Sequence, residues 1–183
     1  MKEEKIDQVG GLYEKFHQLH EEFGNLWQDE TLLHWDWWIA LLVSAGAWVL
    51  WIRYRKRDST HRLLYAGLFS IIVSVCMDYI GVALGLWYYT GKPLPTFPAW
   101  APFHFCMLPV AIMFFIQIKP HISPWIKGLL FGLITSFLAE PILVWTGYYV
   151  LTGWQYIYSV PIYVIIYVIC DYLANRVTFE KIR

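Results

Sequence analysis

Apolar runs of membrane-spanning length recur along this chain, and two of them carry a carboxylic acid at the same relative position. A helix needs about 18–20 predominantly apolar residues to cross hydrocarbon, and runs of that order fall at 35–52, 63–87, 102–118, 128–145 and 157–173. Of the 183 residues, 58% are hydrophobic and only 15% are charged, more apolar side chain than the interior of so small a globule can hold, so the excess must face lipid. The expected fold is an all-α membrane protein with five transmembrane helices within 35–175. An amphipathic segment at 1–34 precedes them and a short tail at 176–183 follows. Such a chain belongs in a cell membrane as a multi-pass protein, with lipids as its first partners. The third run is the least secure of the five, because Pro102, His104 and Pro109 lower its hydrophobicity. Pro109 is expected to kink it where a neighbouring helix satisfies the freed carbonyl.

Net charge is zero, but its distribution orients the chain. The cluster RYRKR at 53–57 follows the first run directly and is read as cytoplasmic, which puts the N-terminus outside and the C-terminus inside. With that orientation ten Lys and Arg lie inside and four outside. A short basic run against a span is a topology signal, so no nucleic-acid partner is expected. Many of the eleven Trp and thirteen Tyr fall near run ends, where amphipathic rings prefer the headgroup boundary. Cys76, Cys106 and Cys170 stand alone inside apolar runs and read as packing residues. The N-terminus carries no basic-then-apolar start, so no removable signal peptide is expected.

In residues 1–30, Ile6, Val9, Leu12, Tyr13, Phe16, Leu19, Phe23, Leu26 and Trp27 recur at spacings of three and four. That period predicts an amphipathic helix with a break point at Gly10-Gly11. It would lie on the membrane surface or on the protein's own outer face, or else bind a partner or a second copy. Its acidic polar face is wrong for anionic lipid.

The segment 68–82, LFSIIVSVCMDYIGV, aligns without gaps on 130–144, LFGLITSFLAEPILV, sixty-two residues later. Leu68/Leu130, Phe69/Phe131, Ile72/Ile134, Ser74/Ser136, Ile80/Ile142 and Val82/Val144 are identical, and Asp78 aligns with Glu140. Each copy leads into an aromatic outer loop and then an inward run containing proline, so the pattern reads as a duplicated helical hairpin about an axis near the membrane normal. Ser70, Ser74 and Asp78, continuing to Gly81 and Gly85, share one helix face, as do Gly128, Gly132, Ser136 and Glu140. Such small-residue stripes let membrane helices approach closely, which turns both acids into the bundle. At 1.5 Å per residue Asp78 lies roughly 14 Å below Trp87, and Glu140 roughly 8 Å below Trp145. Both acids then occupy the outer half, near His104, the one histidine inside an apolar run. Asp171, by contrast, sits near the inner end of its run and is expected to snorkel.

A charged acid in hydrocarbon costs at least about 2.5–3.5 kcal/mol, so a pair at matched depth points to a cavity. Its candidate lining is Asp78, His104, Glu140, Ser74, Ser136, Trp87, Tyr88 and Trp145. Three readings stay open. The cavity binds or transports a small cation or lipophilic ligand, its aromatic mouth supplying cation–π faces. Alternatively, the acids serve a membrane enzyme acting on a lipid or isoprenoid by acid–base chemistry. On the third reading the protein is a non-catalytic scaffold that uses its N-terminal helix. No cofactor motif, serine-hydrolase elbow or phosphate loop is present, and Asp78, His104 and Glu140 lack the spacing of a metal site.

The segments DYIGVALGLWYY at 78–89, LPV at 108–110 and EPILVWTGYY at 140–149, with a proline-bearing last run, resemble a family of small uncharacterised multi-pass membrane proteins of spore-forming bacteria. The resemblance covers 35–175 and implies a fold but no activity. There is a fainter likeness to carotenoid (lycopene) cyclase-type membrane domains, which carry acids in short helical repeats and aromatic outer loops. It implies that Asp78 and Glu140 protonate or stabilise an isoprenoid. This chain departs from the cyclase pattern of a proline before paired acids, because Glu140 is single and precedes Pro141.

Overall fold

The computed structural model describes residues 2–97 and 99–176, so all but the first residue of the expected tail 176–183 lies outside the described residues. Seven helices are joined by short connections. They are α1 (Lys2–Glu30), α2 (Trp35–Tyr54), α3 (Thr60–Ala83), α4 (Leu108–Gln117, entered through a π-helical turn at Pro102–Met107), α5 (Pro124–Ile134), α6 (Glu140–Trp145) and α7 (Tyr156–Arg176). A π-helical turn at Thr135–Ala139 joins α5 to α6 as one rod. Two short strands, β1 (Trp87–Tyr89) and β2 (Tyr149–Leu151), form an antiparallel pair.

Four helical stretches are long and apolar enough to cross a membrane: Trp35–Tyr54, Arg57–Ala83, Pro124–Trp145 and Tyr156–Asn175. The third expected run, 102–118, is a shorter apolar helix, Pro102–Gln117. Large apolar side chains such as Leu42, Leu50, Leu68, Ile72, Leu129 and Phe137 stand exposed around the bundle, the surface a multi-pass membrane protein presents to lipid.

The bundle neighbours run in the order α2, α4, α3, α7, α5. Small residues set the closest approaches. A side chain on Gly132 would place its Cβ 2.9 Å from the Val160 carbonyl, and one on Gly128 3.3 Å from that of Val164, so both glycines let α5 lie against the α7 backbone. Phe131 packs on Tyr167 and Phe115 with ring centroids 5.6 and 5.3 Å apart. Pro109 has no N–H for the Phe105 carbonyl, and Trp48 Nε1 of α2 donates to that oxygen at 3.2 Å, the neighbour-helix rescue a membrane proline requires.

The ends of the helices gather at two poles. At one pole Trp27 Nε1 donates to the Lys92 carbonyl (2.6 Å), Trp37 Nε1 to the Pro93 carbonyl (3.2 Å) and the Tyr148 hydroxyl to the Asp36 carbonyl (3.2 Å). At the other, the Lys56 N–H donates to Gln117 Oε1 (3.1 Å), and Gln117 Nε2 to the Tyr54 carbonyl (3.2 Å). The cluster 53–57 and the turn carrying Lys119 thus share a pole opposite the strands.

Three local expectations change. The first helix runs unbroken through Gly10 and Gly11, since two glycines in an exposed helix cost about 1 kcal/mol each without forcing a break. The second run stops at Ala83 rather than 87. Gly85 takes φ +69°, and the N–H groups of Gly85 and Leu86 return to the carbonyls of Val82 and Gly81, a Schellman closure that removes Gly85 from the helix stripe. Asp171 does not snorkel: it is buried and accepts from Asn175 Nδ2 at 3.0 Å. Nearby, the Lys127 ammonium is also buried and donates to the Ile116 and Ile118 carbonyls at the end of α4. Replacing Gly132→Val should lower stability by about 1–3 kcal/mol through overpacking against α7. Thermal unfolding in detergent checks this, and an unchanged midpoint would refute the close approach.

Candidate functional site

The two strands tie the two halves together at one pole of the bundle, opposite the basic cluster. Trp87 pairs with Leu151, Tyr88 with Val150 and Tyr89 with Tyr149, a register centred on residues related by the same sixty-two-residue offset as Asp78 and Glu140. The flanking bonds repeat that relation. Thr90 Oγ1 donates to the Gly147 carbonyl at 2.6 Å and Thr152 Oγ1 to the Gly85 carbonyl at 2.5 Å, while the Thr90 and Thr152 N–H groups reach the carbonyls of Tyr148 and Leu86. Gly85 and Gly147 both have positive φ, +69° and +82°, and turn each chain from helix to strand.

The turn brings Trp87 back onto its own helix. Its indole Nε1 donates to Asp78 Oδ1 at 2.9 Å, and the Tyr89 hydroxyl donates to the same oxygen at 2.6 Å. The separation expected from a straight helix is therefore closed by the fold. Gly81 makes this possible, because a Cβ there would fall 2.0 Å from the Trp87 ring. His104 Nε2 lies 3.4 Å from Asp78 Oδ1 without hydrogen-bond geometry, and Asp78 Oδ2 and both imidazole nitrogens are buried without a hydrogen-bond partner. Burial, and then the nearby Asp78 carboxylate, push the Tyr89 phenol above its usual range, so it remains a donor at neutral pH.

Glu140 is served from α7. The Tyr163 hydroxyl donates to Oε1 at 3.0 Å and the Ser159 hydroxyl to Oε2 at 3.1 Å, while Trp154 Nε1 donates to Ser159 Oγ at 2.9 Å. His104 and Tyr163 each lie two residues after a proline, Pro102 and Pro161, so each half sets an aromatic polar ring beside its acid. Tyr149, between the two acids, is held protonated chiefly by burial and then by the charges of Glu140 and Asp78.

Both acids, each 4% exposed, line one cavity of about 210 Å³. Of the residues singled out in the sequence, Asp78, His104, Glu140, Ser74 and Trp87 line it. Tyr88, Trp145 and Ser136 do not. Tyr88 alternates to the outer face of β1 between the inward Trp87 and Tyr89, and Trp145 is exposed at the end of α6. Ser136 is buried within the π-helical turn that leads into Glu140, and that turn breaks the four-residue stacking expected of a regular helix. The candidate lining drawn from the sequence left out Tyr89, Tyr149 and Trp154, taken only as aromatic rings of the cavity mouth, and missed Ser159 and Tyr163. Extending the repeat to Thr90-Gly91 and Thr152-Gly153 would have marked 87–89 and 149–151 as equivalent strands.

Among the described residues no lysine or arginine lines the cavity. Lys92, at the strand pole, has its ammonium pKa lowered by burial, an effect opposed by Asp78. Among the described residues no three His, Cys, Asp or Glu are grouped as a metal-binding set. Comparisons of the chain with protein-family models, curated proteins and solved structures give no match.

Gly81→Ala should displace the Trp87 indole and move its N–H resonance, as should Asp78→Asn, whereas Ser159→Ala should move the Trp154 resonance instead. Nuclear magnetic resonance of indole-labelled protein reads this, and an unmoved Trp87 signal in both α3 variants would contradict the geometry.

Proposed function

We propose that this chain is a five-span membrane protein, N-terminus outside and C-terminus inside, whose outer-half cavity binds a small cation or lipophilic ligand through a positively charged or hydrogen-bond-donating group. One observation carries the reading. Two buried carboxylates from the two halves face the same largely apolar cavity, with no lysine or arginine to neutralise them there. A buried carboxylate favours a cation or donor strongly, because the low local dielectric strengthens the attraction and penalises an unpaired charge. The rings of Trp87, Tyr149 and Trp154 add faces suited to a cation. The short third run, Pro102–Gln117, reaches from the strand pole to the basic pole, and local bilayer thinning accommodates such a span.

Acid–base catalysis on a membrane-dissolved substrate is the second reading. It rests on His104 standing 3.4 Å from Asp78 with both ring nitrogens free of hydrogen bonds. Lipid extracts from cells with and without the protein separate the two, since only catalysis leaves a new product.

Asp78→Asn and Glu140→Gln should each weaken binding of benzylamine to the purified protein by about tenfold, ~1.4 kcal/mol. Equal affinity in both variants and wild type, measured by calorimetry, would sink the carboxylate site. The orientation is checked separately. Gln18→Cys should react with an impermeant maleimide on intact cells above the background of native thiols, and Lys119→Cys only after permeabilisation.

A further inference from the structure

The cavity wall includes side chains that face away from the bundle. Met77, Ile80 and Leu84 lie on one face of α3 at spacings of three and four; they line the cavity while being 42%, 51% and 69% exposed. In a helix that crosses lipid, such a face meets acyl chains. Leu143 of α6, half-buried, lines the facing side.

Toward the strand pole, by contrast, the cavity is roofed by rings in mutual contact. Trp87 and Trp154 have centroids 5.1 Å apart, Tyr89 stacks on Tyr149 at 5.3 Å, and Trp87 meets Tyr149 edge-on at 6.2 Å. The strand pairing and the hydrogen bonds to Asp78 hold these rings in place. Phe103 and Ile166, both buried, line the cavity within the bundle. The side toward the exposed face of α3 is the flank without such a cover. At about 30 Å³ per water, the cavity holds roughly seven water-sized volumes, enough for a polar head or one ring but not for a long chain.

We infer, building on the binding reading above, that the ligand is a single-chain amphiphile of the outer leaflet with a cationic or hydrogen-bond-donating head. It enters sideways between α3 and α6. Its head reaches Asp78 and Glu140, and its chain stays in lipid against Met77, Ile80 and Leu84. A site filled from water would instead need a path through the ring roof.

The test compares dodecylamine with butylamine on the full-length protein in nanodiscs, with affinity measured by calorimetry and association by stopped flow. Dodecylamine should bind at least tenfold more tightly than butylamine after correction for its partition into protein-free discs. The double variant Met77→Trp/Leu84→Trp, altered only on the lipid-facing flank, should slow dodecylamine association at least tenfold. Equal partition-corrected affinities for the two amines would overturn the lateral route, as would wild-type association in the double variant. If butylamine binding is still lost in Asp78→Asn, that result leaves the carboxylate site standing. Failure of both amines to bind the wild type would overturn the site and the route together.

Discussion

A carboxylate inside an apolar helix must find donors within the protein, because hydrocarbon offers none. Asp78 finds them on the polypeptide that follows its own helix. The turn at Gly85 reverses the chain, Gly81 leaves room for the returning indole, and Trp87 and Tyr89 both donate to Oδ1. The arrangement of the strand pole depends on that contact. The same strand that carries the donors pairs with β2, and through β2 it fixes the second half of the bundle against the first.

The two halves solve one problem in two ways. Asp78 is met by rings from β1, with His104 beside it on the turn leading into α4. Glu140 is met by Tyr163 and Ser159 of α7, with Trp154 behind the serine. The difference follows from what comes after each strand. In the first half a proline-rich loop separates β1 from α4, whereas in the second β2 leads almost directly into α7. The symmetric strand pairing thus covers an asymmetric cavity in which one acid has both oxygens engaged and the other keeps Oδ2 unpartnered. That imbalance is the one respect in which the hydrogen bonding of the two acids differs among the described residues.

Much of the fold was legible because membrane helices announce themselves by length and hydrophobicity, and the stripes of Ser70, Ser74 and Asp78 and of Gly128 and Gly132 marked the inward faces. The alignment of Asp78 with Glu140 was legible in the repeat. The covering of those acids was not. A period-based reading extended the second run through Trp87, since Leu84, Leu86 and Trp87 are apolar enough to continue it, and only the positive φ at Gly85 ends the helix earlier. Tyr88 entered the candidate lining and Tyr89 was taken only as a mouth ring, because side-chain alternation matters only once the residues are in a strand, and a three-residue segment read alone does not distinguish a strand from a loop. Asp171 was misread as well. Position near a helix end permits snorkelling, but Asn175 one turn away holds the carboxylate inward.

The sequence by itself determined the apolar helices, their small-residue faces, the paired acids at equivalent repeat positions and the basic cluster that collects at one pole. These follow from local composition and period, which act residue by residue. Only the tertiary structure decided that the two acids share one cavity, that the segments after the two repeats pair as strands beside it, and that Trp87 turns back to Asp78 while Trp145 is exposed. Those outcomes depend on contacts between segments far apart in the chain, where the close fit of Gly81 to an indole and of Gly132 to a carbonyl selects one packing among many with the same hydrophobic pattern.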